Sequence, residues 1–446
     1  MIRAYSLLFV FLIGFSFTSN SQSKFNFFGA NDKEVSVRFK LINNLIVIPV
    51  NVNGKQLSFI LDSGVDKTIL FSLAQNDSIG LNNVRKINLQ GLGNGASIEA
   101  LLSEKNTMRI KNFQSNSENI YVILRDEFDI SSKMGITIHG IIGHKIFKDA
   151  VVFINYATKR IILYNPQFYN AKKCRKCEIF PLQFYRNKPY INAKVRLDTI
   201  GRKLTDVKLL IDTGGSEAIW LFEGTKEEIK TPLNHFDDVL GEGLSGTIYG
   251  KRSRIKGVHL GRFKIKNPTI SFLDSSSTYH ARQFKSRNGS IGGNILKRFK
   301  IWIDYGNKTF TLKKNGSFKG GFEYNMSGLD VVYNGMILVK EKDVRLLKDN
   351  YGRDVDRNSS ISLVTNYKYV FKPSYIIKHV LKNSPSFKAG LQKNDIIISI
   401  NGVKVHQYRL KQLLSKFQTG HNKKIKMKIE RNGIPLKFEF RLVKKI

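Results

Sequence analysis

The stretch Phe59-Ile60-Leu61-Asp62-Ser63-Gly64 returns further along the chain as Leu209-Leu210-Ile211-Asp212-Thr213-Gly214. Both copies are apolar runs that end in a carboxylate, a hydroxyl residue and glycine. Two later landmarks repeat in the same register. Gly140-Ile141-Ile142-Gly143 is matched by Gly289-Ser290-Ile291-Gly292, and Val152-Phe153-Ile154-Asn155-Tyr156 by Ile301-Trp302-Ile303-Asp304-Tyr305. Three landmarks hold one offset within a single residue, so the chain contains two copies of one β-rich lobe.

The local patterns are strands and turns. Residues 45–52 form an apolar strand closed by Asn53-Gly54, a hairpin signal, and residues 57–61 return toward the Asp-Ser-Gly turn. Residues 145–147 allow only a short helical turn. Residues 151–154 and 160–164 read as a hairpin around Ala157-Thr158, repeated by 299–303 and 309–313 around Gly306-Asn307.

An apolar strand ending in Asp-Ser/Thr-Gly sets a carboxylate at a sharp turn, where glycine lets backbone pass closely. The hydroxyl can bond across to the other copy. Twofold-related turns would bring Asp62 and Asp212 face to face. Two carboxylates a few ångströms apart cannot both ionise easily, so they share a proton. The ionised member can take a proton from water while the neutral one donates to a carbonyl. That is direct attack of water on a peptide bond.

Asp62-Ser-Gly-Val-Asp-Lys-Thr-Ile-Leu70 resembles the active-site segment of bacterial retropepsin-like aspartyl proteases, and Asp212-Thr-Gly-Gly-Ser-Glu-Ala-Ile-Trp220 resembles the same segment of a second lobe. Ile141-Ile142-Gly143 and Ser290-Ile291-Gly292 are similar to the later element that braces each active-site loop. Val65, Gly215 and Ser290 depart from the commoner residues. Over residues 35–315 the resemblance implies a mainly β, duplicated, two-lobed acid-protease β-barrel fold in one chain. It implies Asp62 and Asp212 as catalytic residues, braced by Ser63, Gly64, Thr213, Gly214, Gly143 and Gly292. Glycine-rich tips begin at the same distance after each aspartate: Gly91, Gly93 and Gly95 in lobe 1, Gly241, Gly243 and Gly246 in lobe 2. They suit mobile flaps that cover a substrate. Lobe 1's tip lacks the tyrosine of pepsin-type flaps, and Tyr249 lies just past lobe 2's tip. Residues 241–246 also fit G-x-G-x-x-G, but no βαβ pattern surrounds them, and the repeat accounts for them better.

The C-terminal part reads differently. Residues 375–391, with Ser384-Pro385 and Ala389-Gly390-Leu391, lead into Asp395-Ile396-Ile397-Ile398-Ser399-Ile400-Asn401-Gly402. The order of strand, Ser-Pro, short helix, Asp-Ile-Ile strand and Asn-Gly turn is similar to PDZ domains attached to bacterial envelope proteases. Leu410, Leu413, Leu414 and Phe417 follow at helical spacing. The resemblance implies an α+β module that binds an extended peptide or a C-terminus by β-augmentation. No clear glycine-rich carboxylate loop is legible, and docking or dimerisation is the other use.

The chain has 446 residues with 73 Lys+Arg against 35 Asp+Glu, a formal charge of +38. Hydrophobic residues make up 41 %, which excludes a disordered polycation. The basic residues are dispersed. They read as a solvated surface with weak attraction to an anionic envelope, and no nucleic-acid partner is expected. Residues 1–21 have one charge, Arg3, an apolar run from Leu7 to Phe17, and a small polar stretch. This is the layout of a signal peptide, with cleavage expected after Ser21 and no cysteine to carry a lipid. The expected location is periplasmic or secreted. Cys174-Arg-Lys-Cys177 lacks a second pair for zinc and a redox setting, so a local disulfide or idle thiols are expected. The histidines show no H-E-x-x-H spacing, and His139 and His144 read as structural or exposed. No cofactor or metal is expected.

The expected organisation is a signal peptide at 1–21, lobe 1 at 22–172, lobe 2 at 173–318, and a PDZ domain at 319–446 with a polar insertion around 341–372. The expected function is exported aspartic endopeptidase, active as a monomer on protein or peptide substrates. The competing reading is a non-catalytic envelope peptide-binding scaffold.

Overall fold

The computed structural model describes residues 24–29, 32–71, 79–89, 98–123, 130–197, 203–243, 246–344, 365–418 and 420–446. The expected signal peptide and the lobe 1 glycines Gly91, Gly93 and Gly95 lie outside the described residues.

Each lobe is built on one mixed sheet. Leu45–Val52 pairs antiparallel with Lys55–Leu61 across Asn53-Gly54, whose φ values of 47° and 91° suit a tight hairpin turn. Lys55–Leu61 then pairs parallel with Gly140–Ile142, which is antiparallel to Thr68–Leu70. The chain between Leu61 and Thr68 is therefore gripped from both sides by Gly140–Ile142. Lobe 2 repeats this: Thr205–Ile211 is parallel with Gly289–Ile291, which is antiparallel to Ile219–Phe222. The braces read from the repeat are thus the strands that hold both Asp turns.

A third sheet joins the lobes, and the strand patterns alone did not foretell it. Its order is Cys177–Pro181, Thr309–Lys314, Phe299–Asp304, Val151–Asn155, Arg160–Tyr164, Glu34–Arg38. At its centre Val152 pairs with Ile303, Phe153 with Trp302 and Ile154 with Ile301. Equivalent residues face one another reciprocally, as a twofold axis between the copies requires. The Phe153 and Trp302 rings meet on that axis with centroids 4.5 Å apart. One continuous apolar core runs through both lobes, from Phe25 to Phe322. Among the described residues no helix is long and apolar enough to cross a membrane.

The C-terminal module has its own sheet and core, built on Leu329, Tyr375, Ile377, Ile397, Leu413 and Phe440. Ser384 caps the short helix Pro385–Lys388 by accepting from the Phe387 amide at 3.2 Å, with Pro385 at the first helical position. Buried Asp395 takes a two-pronged grip from Arg431 at 2.7 and 2.8 Å. The stretch read as an insertion continues a long hairpin, Leu329–Val344 with Thr365–Val380. Residues 345–364, between its arms, lie outside the described residues. The module is seated on both lobes. Lys133 of lobe 1 pairs with Asp330 at 3.7 Å, and the Phe236 ring of lobe 2 packs tilted against Tyr324.

Candidate active site

Asp62 and Asp212 each follow the last residue of a buried strand. The Asp62 amide donates to the Ile142 carbonyl at 2.9 Å, and the Asp212 amide to Ile291 at 3.0 Å. The hydroxyl residues that follow lock the two turns together. Ser63 Oγ donates to the Ile211 carbonyl at 2.7 Å and accepts from the Thr213 amide at 3.1 Å. Thr213 Oγ1 donates to the Leu61 carbonyl at 2.8 Å and accepts from the Ser63 amide at 2.9 Å. Ser63 and Thr213 are fully buried, and between them every donor and acceptor of this crossing is satisfied.

The crossing sets the carboxylates around one point. A Cβ on Gly64 would lie 3.2 Å from Asp62 Oδ1 and 3.4 Å from Asp212 Oδ1. A Cβ on Gly214 would come within 2.2 Å of the Asp62 carboxyl carbon, and one on Gly143 within 2.0 Å of the Asp62 carbonyl oxygen. Only glycine lets backbone approach this closely. Gly292 plays the Gly143 part in lobe 2, against the Glu217 carbonyl.

Burial, and then the charge of Asp212, push Asp62 up to about 7, against the Gly64 and Gly214 amides and Lys188. Burial also raises Asp212, where Arg287, Lys188 and the Gly215 and Gly214 amides pull the other way. The two titrate as a pair that keeps one proton into the neutral range. Arg287 is the strongest charge acting on Asp212, which makes Asp212 the member placed to carry the charge.

The dyad forms the floor of a cavity of about 400 Å³, walled on the lobe 2 side by Lys188, Tyr190, Phe284 and Arg287. These residues belong to no motif, and sequence reading passed over them. The one available signal was the repeat itself, where lobe 1 carries apolar residues at the positions of Lys188 and Arg287.

Lobe 2 also carries the hairpin His235–Gly243 with Gly246–Arg254, closing through the Gly243 and Gly246 pair. Gly241 sits beside a bulge near its tip, and Tyr249 is exposed on the second arm. Arg252, at the root, reaches Glu217 of the active-site loop at 2.5 and 3.1 Å and Asp238 at 2.6 Å. In lobe 1 the corresponding stem is Arg85–Leu89 with Ile98–Ile110.

Outside the cleft, His139 Nδ1 accepts from the Ser58 amide and stiffens the brace. Cys174 and Cys177 are disulfide-bonded. Among the described residues no group of His, Cys, Asp and Glu could hold a metal ion.

A family model described as aspartyl protease matches residues 48–146, and one described as PDZ domain matches residues 376–431. Among solved structures, the aspartic proteinase from Irpex lacteus is similar over 65 % of this chain and 99 % of that chain, at 13 % identity and a TM-score of 0.43. No curated protein matches the chain. Residues 48–146, which include Asp62-Ser63-Gly64 and the Gly143 brace, are thus an aspartyl protease domain, and a PDZ domain follows at 376–431.

Proposed function

We propose that the protein is an exported aspartic endopeptidase whose single chain supplies both halves of the active site. The observation that carries this is the hydroxyl-to-backbone crossing of Ser63 and Thr213, which holds Asp62 and Asp212 around one point. A water held there gives a proton to ionised Asp212 as its oxygen bonds to the scissile carbonyl carbon. Protonated Asp62 donates to the carbonyl oxygen. The tetrahedral intermediate then collapses: the proton gained by Asp212 passes to the leaving amine, the C–N bond breaks, and one hydroxyl proton of the intermediate returns to Asp62. The glycine-tipped lobe 2 hairpin would close over the peptide and exclude bulk water. Export rests on the leader-like residues 1–21. The test is hydrolysis of a peptide library by the wild type and by the Asp62→Asn/Asp212→Asn double variant. Undiminished cleavage by the double variant would sink the reading in favour of a non-catalytic scaffold.

The pH profile follows from the shared proton. The active form holds one proton, and Asp62 loses it as pH passes about 7. Hydrolysis should therefore be sustained on the acid side and fall about tenfold per unit above that point. A rate that keeps rising to pH 9 would contradict this assignment.

For the PDZ domain, peptide binding by β-augmentation has one supporting feature. Leu329–Val344 is an edge strand, paired only with Thr365–Val380 among the described residues, and helix Leu410–Ser415 lies near it. A second use, docking in cis, is favoured by the lobe 1 residues that sit there. Lys133 pairs with Asp330 on the strand, and a Cβ on Gly135 would lie 3.0 Å from Leu410 Cβ on the helix. If lobe 1 covers the groove, Gly135→Glu should push it away, and the full chain should bind C-terminal peptides about tenfold more tightly. Unchanged affinity in a peptide titration would remove the docking role.

A further inference from the structure

The duplication supplies an internal control for the cleft wall. Leu45 and Lys188 are equivalent: each opens a strand after a two-residue turn with positive φ at both positions, Asn43-Asn44 (48° and 66°) and Arg186-Asn187 (47° and 63°). Ile138 and Arg287 are equivalent too. Each precedes a residue that clamps the facing strand with amide and side chain. His139 does so on Ser58, at 2.8 and 3.1 Å, and Asn288 on Lys208, at 2.9 and 2.8 Å. In lobe 1 these positions belong to a wholly apolar cluster with Val47, Ile60 and Phe71. In lobe 2 the same frame carries Lys188, Tyr190, Leu210, Phe222 and Arg287, and the apolar pair has become two cations.

The cations face the reacting centre. Arg287 is only 4 % exposed. Its Nε donates to the Gly289 carbonyl at 3.1 Å, and its guanidinium lies 4.9 Å from the Phe222 ring centroid. The Phe222 contact, the backbone bond and the Tyr190 hydroxyl hold it, and no carboxylate of the described residues lies within ion-pair distance of it or of Lys188. Both act on the dyad through space. Lys188 also feels Asp66, whereas among the described residues the only carboxylate acting on buried Arg287 is Asp212, at more than ion-pair distance. A buried guanidinium without a counter-ion is unfavourable, and an incoming carboxylate relieves it with charge-assisted hydrogen bonds.

We infer that the lobe 2 wall of the cleft, centred on Lys188 and Arg287, is a carboxylate-binding subsite, so that cleavage is directed to peptides with a carboxylate beside the scissile bond. This rests on the endopeptidase reading and names its specificity. Arg186, held at the rim by Gln283 at 2.7 Å, extends the positive surface outward.

The test uses peptide pairs in the full chain. One set, with amidated C-termini, carries Glu or Gln at each position flanking the scissile bond. The other places a free or amidated C-terminus within three residues of that bond. The carboxylate member of a pair should be cleaved with a kcat/KM about 10- to 100-fold higher. A preference in the first set assigns the subsite to a side chain, and one in the second set to a chain end. Lys188→Leu, which installs the lobe 1 residue, and Arg287→Gln should each bring the ratio down to about 3-fold or less. The ratio compares two substrates of one preparation, so partial misfolding of a variant does not move it. Lys188→Glu should turn the preference toward Lys-containing peptides. Equal kcat/KM within every pair, or a ratio unchanged in both variants, overturns the subsite. If no peptide is hydrolysed, calorimetric binding of the same pairs decides. A carboxylate preference then keeps the subsite and overturns the endopeptidase reading, and equal affinities overturn the subsite.

Discussion

Asp212→Asn is expected to lower peptide hydrolysis by about 10³-fold or more, and Asp62→Asn by a similar factor, with the fold intact. The two losses have different causes. Asn at 212 cannot accept the proton of water, and that position holds the charge because Arg287 and Lys188 lie beside it. Asn at 62 keeps a donor toward the substrate carbonyl but cannot give up a proton. The stability consequence separates chemistry from folding. Asp62 in the folded protein keeps its proton up to about 7, far above its ordinary value, so the native state binds more protons than the unfolded chain between about pH 4 and 7. That contribution is fully present below the unfolded value and is lost as pH rises through the folded one. Asp62→Asn removes the buried charge that grows in that window. The inactive variant should therefore melt higher than the wild type at pH 8 and near it at pH 4. Calorimetry at the two pH values checks this, and a variant that melts lower at both would mean the turn itself is disturbed.

Much of this site is legible in sequence because its determinants are local. Phe59–Gly64 and Leu209–Gly214 carry the strand, the carboxylate, the hydroxyl and the glycine within six residues, and the braces repeat at a fixed offset. The strands around Asn53-Gly54 and Gly306-Asn307 form where alternation and turn residues place them. What was not legible depends on pairing at a distance. The sheet that joins the lobes needs Val151–Asn155 to meet Phe299–Asp304 from the other copy, and neither strand advertises its partner. Lys188 and Arg287 are far apart in sequence and converge only when Lys188–Arg196 and Gly289–Ile291 flank the same strand. The module's Asn325–Leu329 turn was not recognised either. It is stabilised by Ser327 and Asn325 side chains bonding nearby backbone, with Gly328 at φ +81°, rather than by a glycine-rich signature.

The ion-paired triad of buried Arg252 with half-buried Glu217 and Asp238 carries the second large prediction. Arg252 is 7 % exposed and stands between two carboxylates from different parts of the site. Glu217 belongs to the loop that follows Asp212, and its carbonyl is also held by the Asn294 amide at 3.2 Å beside the Gly292 brace. Asp238 lies on the first arm of the lobe 2 hairpin, where burial raises its carboxyl although Arg252 opposes the shift. One guanidinium thus ties the hairpin root to the active-site loop. Arg252→Met leaves two half-buried carboxylates without a cation, which should destabilise the protein by about 2–4 kcal/mol at pH 7. In that variant burial would raise the Asp238 carboxyl without Arg252 to oppose it, so the deficit should shrink as pH falls toward 5. Replacing all three residues with apolar ones of similar size should restore most of the stability. Hydrolysis should not return with it, because the hairpin would no longer be fixed to the loop that carries Asp212. Denaturant unfolding and turnover measured on the same preparations separate these effects. An Arg252→Met protein as stable as the wild type at pH 7 would show that the triad holds nothing, and recovery of activity along with stability would show that the hairpin needs no such tie.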